Sequence, residues 1–158
     1  MMREKRIGDV TVPLSECPHM PYWGTLKEAI VLLNVAHETR HNTVLVFDEA
    51  YKLVGLLSQM GILKGLDTRH GGKKKKEPVF SWDTLLGEKN EKQLSRPVKD
   101  FMDKDKVTVD VSDGILKATQ IILKVDSRLL PVMDRDKVVG VVRIGDLFHQ
   151  ISNAILKL

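Results

Sequence analysis

Apolar residues along the chain fall into short blocks whose spacing changes from one block to the next. Leu26, Ala29, Ile30 and Leu33 recur at helical spacing and predict an amphipathic helix with one apolar stripe. Val44-Leu45-Val46-Phe47 and Leu129-Leu130-Pro131-Val132-Met133 are short apolar runs that predict buried strands. Each is followed by a polar segment suited to a hairpin turn, Asp48-Glu49-Ala50-Tyr51-Lys52 and Asp134-Arg135-Asp136-Lys137. Gly55 and Gly140 then fall inside the next strands, where a missing side chain permits a bulge or the close approach of another backbone. A final helix carries Leu147, Ile151, Ala154, Ile155 and Leu158 on one side. That face must meet either the rest of the chain or a second subunit.

These elements occur twice, in the same order. Gly24-Thr25-Leu26-Lys27-Glu28-Ala29-Ile30 aligns with Gly114-Ile115-Leu116-Lys117-Ala118-Thr119-Gln120 at an offset of 90. Leu45-Val46-Phe47-Asp48 aligns with Pro131-Val132-Met133-Asp134 at 86, and Lys52-Leu53-Val54-Gly55 with Lys137-Val138-Val139-Gly140 at 85. Upstream, Ile7-Gly8-Asp9-Val10 aligns with Val98-Lys99-Asp100-Phe101 at 91. Each copy reads strand, helix, strand, turn, strand, helix. The predicted fold is α+β, with two β-α-β-β-α repeats at 5–66 and 96–154 packed about a pseudo-twofold axis. Between them, 67–95 is a long, partly helical insert with a flexible Lys-rich loop and a short helix capped by Ser81.

The stretch Leu130-Pro131-Val132-Met133-Asp134, a short turn, Lys137-Val138-Val139-Gly140-Val141-Val142 and then Asp146 resembles a CBS domain. With both copies in order, the chain is similar to a tandem CBS pair, or Bateman module, and in layout to stand-alone bacterial pairs. The resemblance implies a non-catalytic regulatory module. It would bind AMP, ADP, ATP, S-adenosylmethionine or cyclic di-AMP in a cleft between the copies, form a homodimer through exposed helix faces, and signal through an effector protein. An orphan pair that mediates contacts without binding nucleotide is the alternative.

In that family a hydroxyl residue shortly after the strand glycine contacts phosphate, and an acid three places later contacts ribose. The positions suit this chemistry, since a helix N-terminus favours an anion and a carboxylate accepts from ribose hydroxyls. Here the second copy has Arg143 for the hydroxyl and keeps Asp146, while the first keeps Ser58 and has Gly61 for the acid. The resemblance therefore implies a working cleft built from Asp146, Arg143 and Val132, with Pro18, His19 and Met20 of the opposite copy against adenine. A weaker cleft would use Ser58, Val107 and Thr108. The competing roles are structural: a helix cap for Asp146 and Ser58, core strand for Pro18 and Met20.

Other signals change this picture little. His37-Glu38-Thr39-Arg40-His41 matches the zinc hydrolase pattern H-E-x-x-H. It lies where the first helix should end, in a connection that the second copy shortens, so a surface loop is expected rather than a metal site at His37 and His41. The net charge of +4 suggests nucleic acid until its location is considered. Residues 64–95 hold eight Lys or Arg against five acids, including Lys73 to Lys76, so most of the excess lies in this one stretch and nucleic-acid binding is not expected. No apolar run approaches the roughly 20 residues of a membrane helix. The single Cys17 cannot form an internal disulfide, so a reducing, cytoplasmic setting is expected. No catalytic triad, carboxylate dyad or phosphate loop is visible.

Overall fold

The structure is a computed structural model that describes residues 4–36, 41–67 and 79–157. The elements in chain order are β1 (Val12–Pro13), β2 (His19–Pro21), α1 (Leu26–Val35), β3 (Thr43–Phe47), β4 (Leu53–Ser58), α2 (Gln59–Leu66), α3 (Trp82–Leu85), α4 (Glu88–Leu94), β5 (Val109–Asp110), α5 (Ile115–Val125), β6 (Leu129–Asp134), β7 (Lys137–Arg143) and α6 (Ile144–Leu156). The predicted β-α-β-β-α order thus appears twice, as β2-α1-β3-β4-α2 and β5-α5-β6-β7-α6. No helix among the described residues is long and apolar enough to cross a membrane.

The chain forms two compact units, and their composition departs from the repeats as read along the sequence. A middle unit spans Pro18–Lys104, and an end unit joins Met1–Cys17 to Asp105–Leu158. Each repeat's leader is therefore packed with the other repeat. Ile7, in a 3-10 turn at Ile7–Asp9, is fully buried with Val109, Ile115, Leu130, Val132 and Leu147, and its N–H donates to the Asp113 carbonyl at 2.8 Å. Val98, in the matching turn Val98–Asp100, is fully buried with Met20, Leu26, Val44 and Val46, and its N–H donates to the Gly24 carbonyl at 2.7 Å. The boundary at residue 5 or 96 marks where the pattern repeats, whereas the buried surface of the leaders decides which core they join.

The sheets repeat the same exchange. In the end unit the order is β1-β7-β6-β5, with β1 antiparallel to β7 through Val12 opposite Val141 and Pro13 opposite Gly140. In the middle unit the order is β2-β3-β4, and Asp103 bridges Leu56 at the free side of β4. Both strand glycines serve close approach. A Cβ on Gly140 would collide with the Val12 carbonyl oxygen, and one on Gly55 would meet the Met102 side chain, its Sδ at 2.5 Å. Register shifts also interrupt each β-hairpin, between Val46 and Phe47 and between Val132 and Met133.

The helices are placed by their apolar stripes and caps. Thr25 accepts from the Glu28 N–H at 3.2 Å and starts α1, whose buried residues are Leu26, Ala29 and Leu33. On α6, Leu147 faces the core and Ile151 packs partly against it, while Phe148 and Ile155 are 71% and 72% exposed. Two short helices follow the Lys-rich segment. Ser81 caps α3, as expected, by accepting from the Thr84 N–H at 3.1 Å, and Gln93 of α4 donates to the Gly65 carbonyl at 2.7 Å. That bond ties α4 to α2.

Candidate functional site

The two strand-to-helix junctions, β4 into α2 and β7 into α6, are built on the same main-chain frame. The Gln59 N–H donates to the Asn42 carbonyl at 2.9 Å, and the Ile144 N–H to the Arg128 carbonyl at 2.9 Å, so the first residue of each helix is tied to the residue just before the paired strand. What differs is how the first turn is capped. Ser58 Oγ accepts from the Gly61 N–H at 3.1 Å. Asp146 instead reaches back, its Oδ2 accepting from the Arg143 N–H at 2.9 Å. A capping box combines both bonds, from a hydroxyl at the cap and an acid three residues on. Each repeat therefore keeps one half of it, which is why Ser58 lacks its acid and Asp146 lacks its hydroxyl.

Arg143 also holds Asp146 through its side chain. Its Nε donates to Oδ2 at 3.1 Å and its Nη2 to Oδ1 at 3.3 Å, a two-toothed ion pair at the start of α6. The Cys17 thiol shares this neighbourhood. Burial pushes its pKa up to about 11, the nearby Arg143 charge works against that rise, and its Sγ lies 3.3 Å from the Pro13 carbonyl oxygen. Cys17 belongs with Arg143 in the end unit, whereas Pro18 begins the middle unit. The stretch from Cys17 to Met20 thus divides between units, and its strand starts at His19.

The remaining expected residues separate by unit. Pro18, His19 and Met20 belong with Ser58, and Val107, Thr108 and Val132 belong with Arg143 and Asp146. Met20 and Val132 have their side chains in the two cores. β2 pairs with β3 at Met20–Val46, and β5 with β6 at Val109–Val132. Pro18 is buried, His19 is half-buried with its ring edge-on to Phe47 at 6.0 Å, and Val107 and Thr108 are exposed ahead of β5.

His41, the second His of the metal-like pattern, is buried just ahead of β3 rather than on α1, which ends at Val35. His37 to Arg40 lie outside the described residues, as do Lys73 to Lys76. Among the described residues no cluster of three His, Cys, Asp or Glu could hold a metal.

A leader turn, a β-α-β-β-α core with a strand glycine, and a capped strand-to-helix junction each occur twice, and this chain belongs to the CBS-domain family, with the fold of a tandem pair. The CBS domain family model matches residues 98–153. The chain is 33% identical to the chloroplastic CBS domain-containing protein CBSX1 of Arabidopsis thaliana, over 78% of this chain and 54% of that protein, so it spans about half the length of this curated relative. Among solved structures, CBSX2 of Arabidopsis thaliana in complex with AMP shares the fold at a TM-score of 0.68 and 21% identity, covering 98% of this chain and 99% of that one. The CBS domain pair of protein MJ0100, in complex with 5-methylthioadenosine and S-adenosyl-L-methionine, does so at 0.69 and 16%, covering 96% and 99%.

Proposed function

We propose that this chain is a non-catalytic regulatory module that binds an adenine nucleotide at the β7–α6 junction and passes the signal to a partner protein. The observation that carries the reading is the Arg143–Asp146 pair at the start of α6, which sets a guanidinium and a carboxylate beside the first-turn N–H groups of a helix. A guanidinium fork and a helix N-terminus both suit phosphate, and a carboxylate suits ribose hydroxyls. The AMP complex of CBSX2 and the methylthioadenosine and S-adenosylmethionine complex of MJ0100, which share the fold, support an adenine-type ligand. Ser58 makes the β4–α2 junction the weaker second site, since no acid stands at residue 61.

The output passes through a homodimer and an effector protein. Leu116 and Leu123 on α5, with Phe148 and Ile155 on α6, form the apolar faces that a second copy would cover. The single buried thiol suits a reducing, cytoplasmic compartment.

A second reading, an interaction module without nucleotide, has one specific observation in its favour: both Asp146 oxygens are already engaged by Arg143. Calorimetric titration with AMP, ADP, ATP, S-adenosylmethionine and cyclic di-AMP separates the two. At least one ligand should bind more tightly than about 1 mM, equivalent to about −4 kcal/mol. Failure of the whole panel leaves the interaction module as the function.

A further inference from the structure

The Arg143–Asp146 pair restricts what the junction can accept. Asp146 Oδ2 takes the Arg143 N–H at 2.9 Å and Nε at 3.1 Å, and Oδ1 takes Nη2 at 3.3 Å. A carboxylate offers about four lone-pair positions, so three are occupied and a ribose diol cannot take two. The equivalent position in the other repeat has no such clamp, because Ser58 carries no charge and Gly61 no side chain. The pair sits at the edge of the unit, with side chains 34% and 23% exposed, so water weakens it and a suitable ligand can open it.

We propose that Arg143 is a discriminating clamp, which keeps Asp146 closed to unphosphorylated nucleosides and releases it when a phosphate takes its place on the guanidinium. The inference rests on the adenine-nucleotide reading above and adds which members of that class the junction takes. A phosphate monoester or longer chain gives Arg143 a new two-toothed partner as it leaves Asp146, and Asp146 then turns its freed lone pairs to the ribose. Adenosine and methylthioadenosine bring no anion, so the guanidinium loses its partner without replacement. S-adenosylmethionine has no phosphate: its sulfonium, next to the ribose, meets Arg143 as a like charge, and its carboxylate lies several bonds further out along the methionine chain.

Titration calorimetry of wild type, Arg143→Ala and Arg143→Lys with AMP and adenosine tests the clamp. Wild type should bind AMP at least about tenfold more tightly than adenosine, the size of one charge-assisted hydrogen bond. Arg143→Ala should bind adenosine roughly tenfold more tightly than wild type does, because Asp146 is released, and the preference for AMP should shrink. Arg143→Lys keeps the charge without the planar fork and should fall between them. If AMP binds wild type but Arg143→Ala leaves adenosine affinity unchanged or weaker, the clamp is overturned and the nucleotide reading stands. If neither ligand binds any of the three proteins while all melt cooperatively, the clamp falls, and the nucleotide reading falls with it once ADP, ATP, S-adenosylmethionine and cyclic di-AMP fail as well.

Discussion

The carbonyl oxygen of Val12 occupies the space that a Cβ on residue 140 would fill, so Gly140 is bare because the chain's own leader crosses it. Gly55 stands in the matching position beneath Met102 and Asp103. The two obstacles differ in kind. At Gly140 the nearest atom is main chain held in a β-bridge, which cannot move aside. At Gly55 the two nearest atoms belong to a flexible methionine, and the Asp103 carbonyl stands further off at 3.0 Å. Gly140→Ala should cost about 3 kcal/mol and Gly55→Ala about 1 kcal/mol, through overpacking. Urea unfolding curves check the order, and equal losses would show that β1 yields as easily as a methionine.

Gly145 poses the opposite case, for nothing lies within 4 Å of a Cβ built there. Alanine in the first turn of α6 should stabilise the protein by about 0.5–1 kcal/mol, as helix propensity and unfolded-chain entropy both favour it. A rise in melting temperature is the expected readout, with ligand absent.

The caps should report on stability and on binding separately. Ser58→Ala removes the acceptor for the Gly61 N–H and should cost about 1 kcal/mol. Asp146→Ala removes the acceptor for the Arg143 N–H, with a loss of similar size, and should also weaken nucleotide binding by about tenfold. Ser58→Ala should leave that affinity nearly unchanged. The comparison of the two variants by calorimetry assigns the working site to one junction, and the reverse pattern would move it to β4–α2.

Cys17 is 5% exposed, and burial holds its thiol neutral by raising the pKa from an ordinary 9.0 to about 11. The native protein should resist thiol reagents at pH 8 and react fully once unfolded. As pH rises through the interval from 9.0 to about 11, the unfolded chain gives up this proton while the folded one keeps it, so stability should fall, by roughly 2 kcal/mol across the window. Cys17→Ser should flatten that part of the pH profile, which denaturation at a series of pH values will measure.

The helix faces predict an assembly. Phe148→Glu combined with Ile155→Glu places charge on α6 residues 71% and 72% exposed in one chain, so folding should be little affected while self-association is lost. Analytical ultracentrifugation should find a dimer for wild type and a monomer for the double variant. A wild-type monomer at micromolar concentration removes the homodimer from the proposed function.

The repeat, the element order and both strand glycines were legible in the amino-acid pattern, because each leaves a local trace: a period, an offset, a missing side chain. The exchange of leaders left none. Ile7 and Val98 read as apolar residues that need a core, but their spacing says nothing about which core they enter, since long-range packing decides that. The same limit applies to Met20 and Val132, whose burial in the two cores is set by packing that the local pattern does not spell out. Asp146 was legible as an acid at a helix start, whereas its bond to Arg143 required the rotamers of both.

The composition of the end unit, drawn from Met1–Cys17 and Asp105–Leu158, bears on how the protein emerges from a ribosome. The middle unit is one continuous stretch, and once Lys104 has been added it has all of its parts. Ile7 is translated first of the buried end-unit residues, yet it waits for Leu130, Val132, Val142 and Leu147 before it has a place to go. Until then the leader that carries Ile7 hangs from the middle unit, held in reserve for residues made much later. Such long-range closure is slow relative to local contacts and leaves a sticky intermediate. A stalled or truncated chain would thus display a folded middle with an unsatisfied tail, a form that a protease or chaperone can recognise.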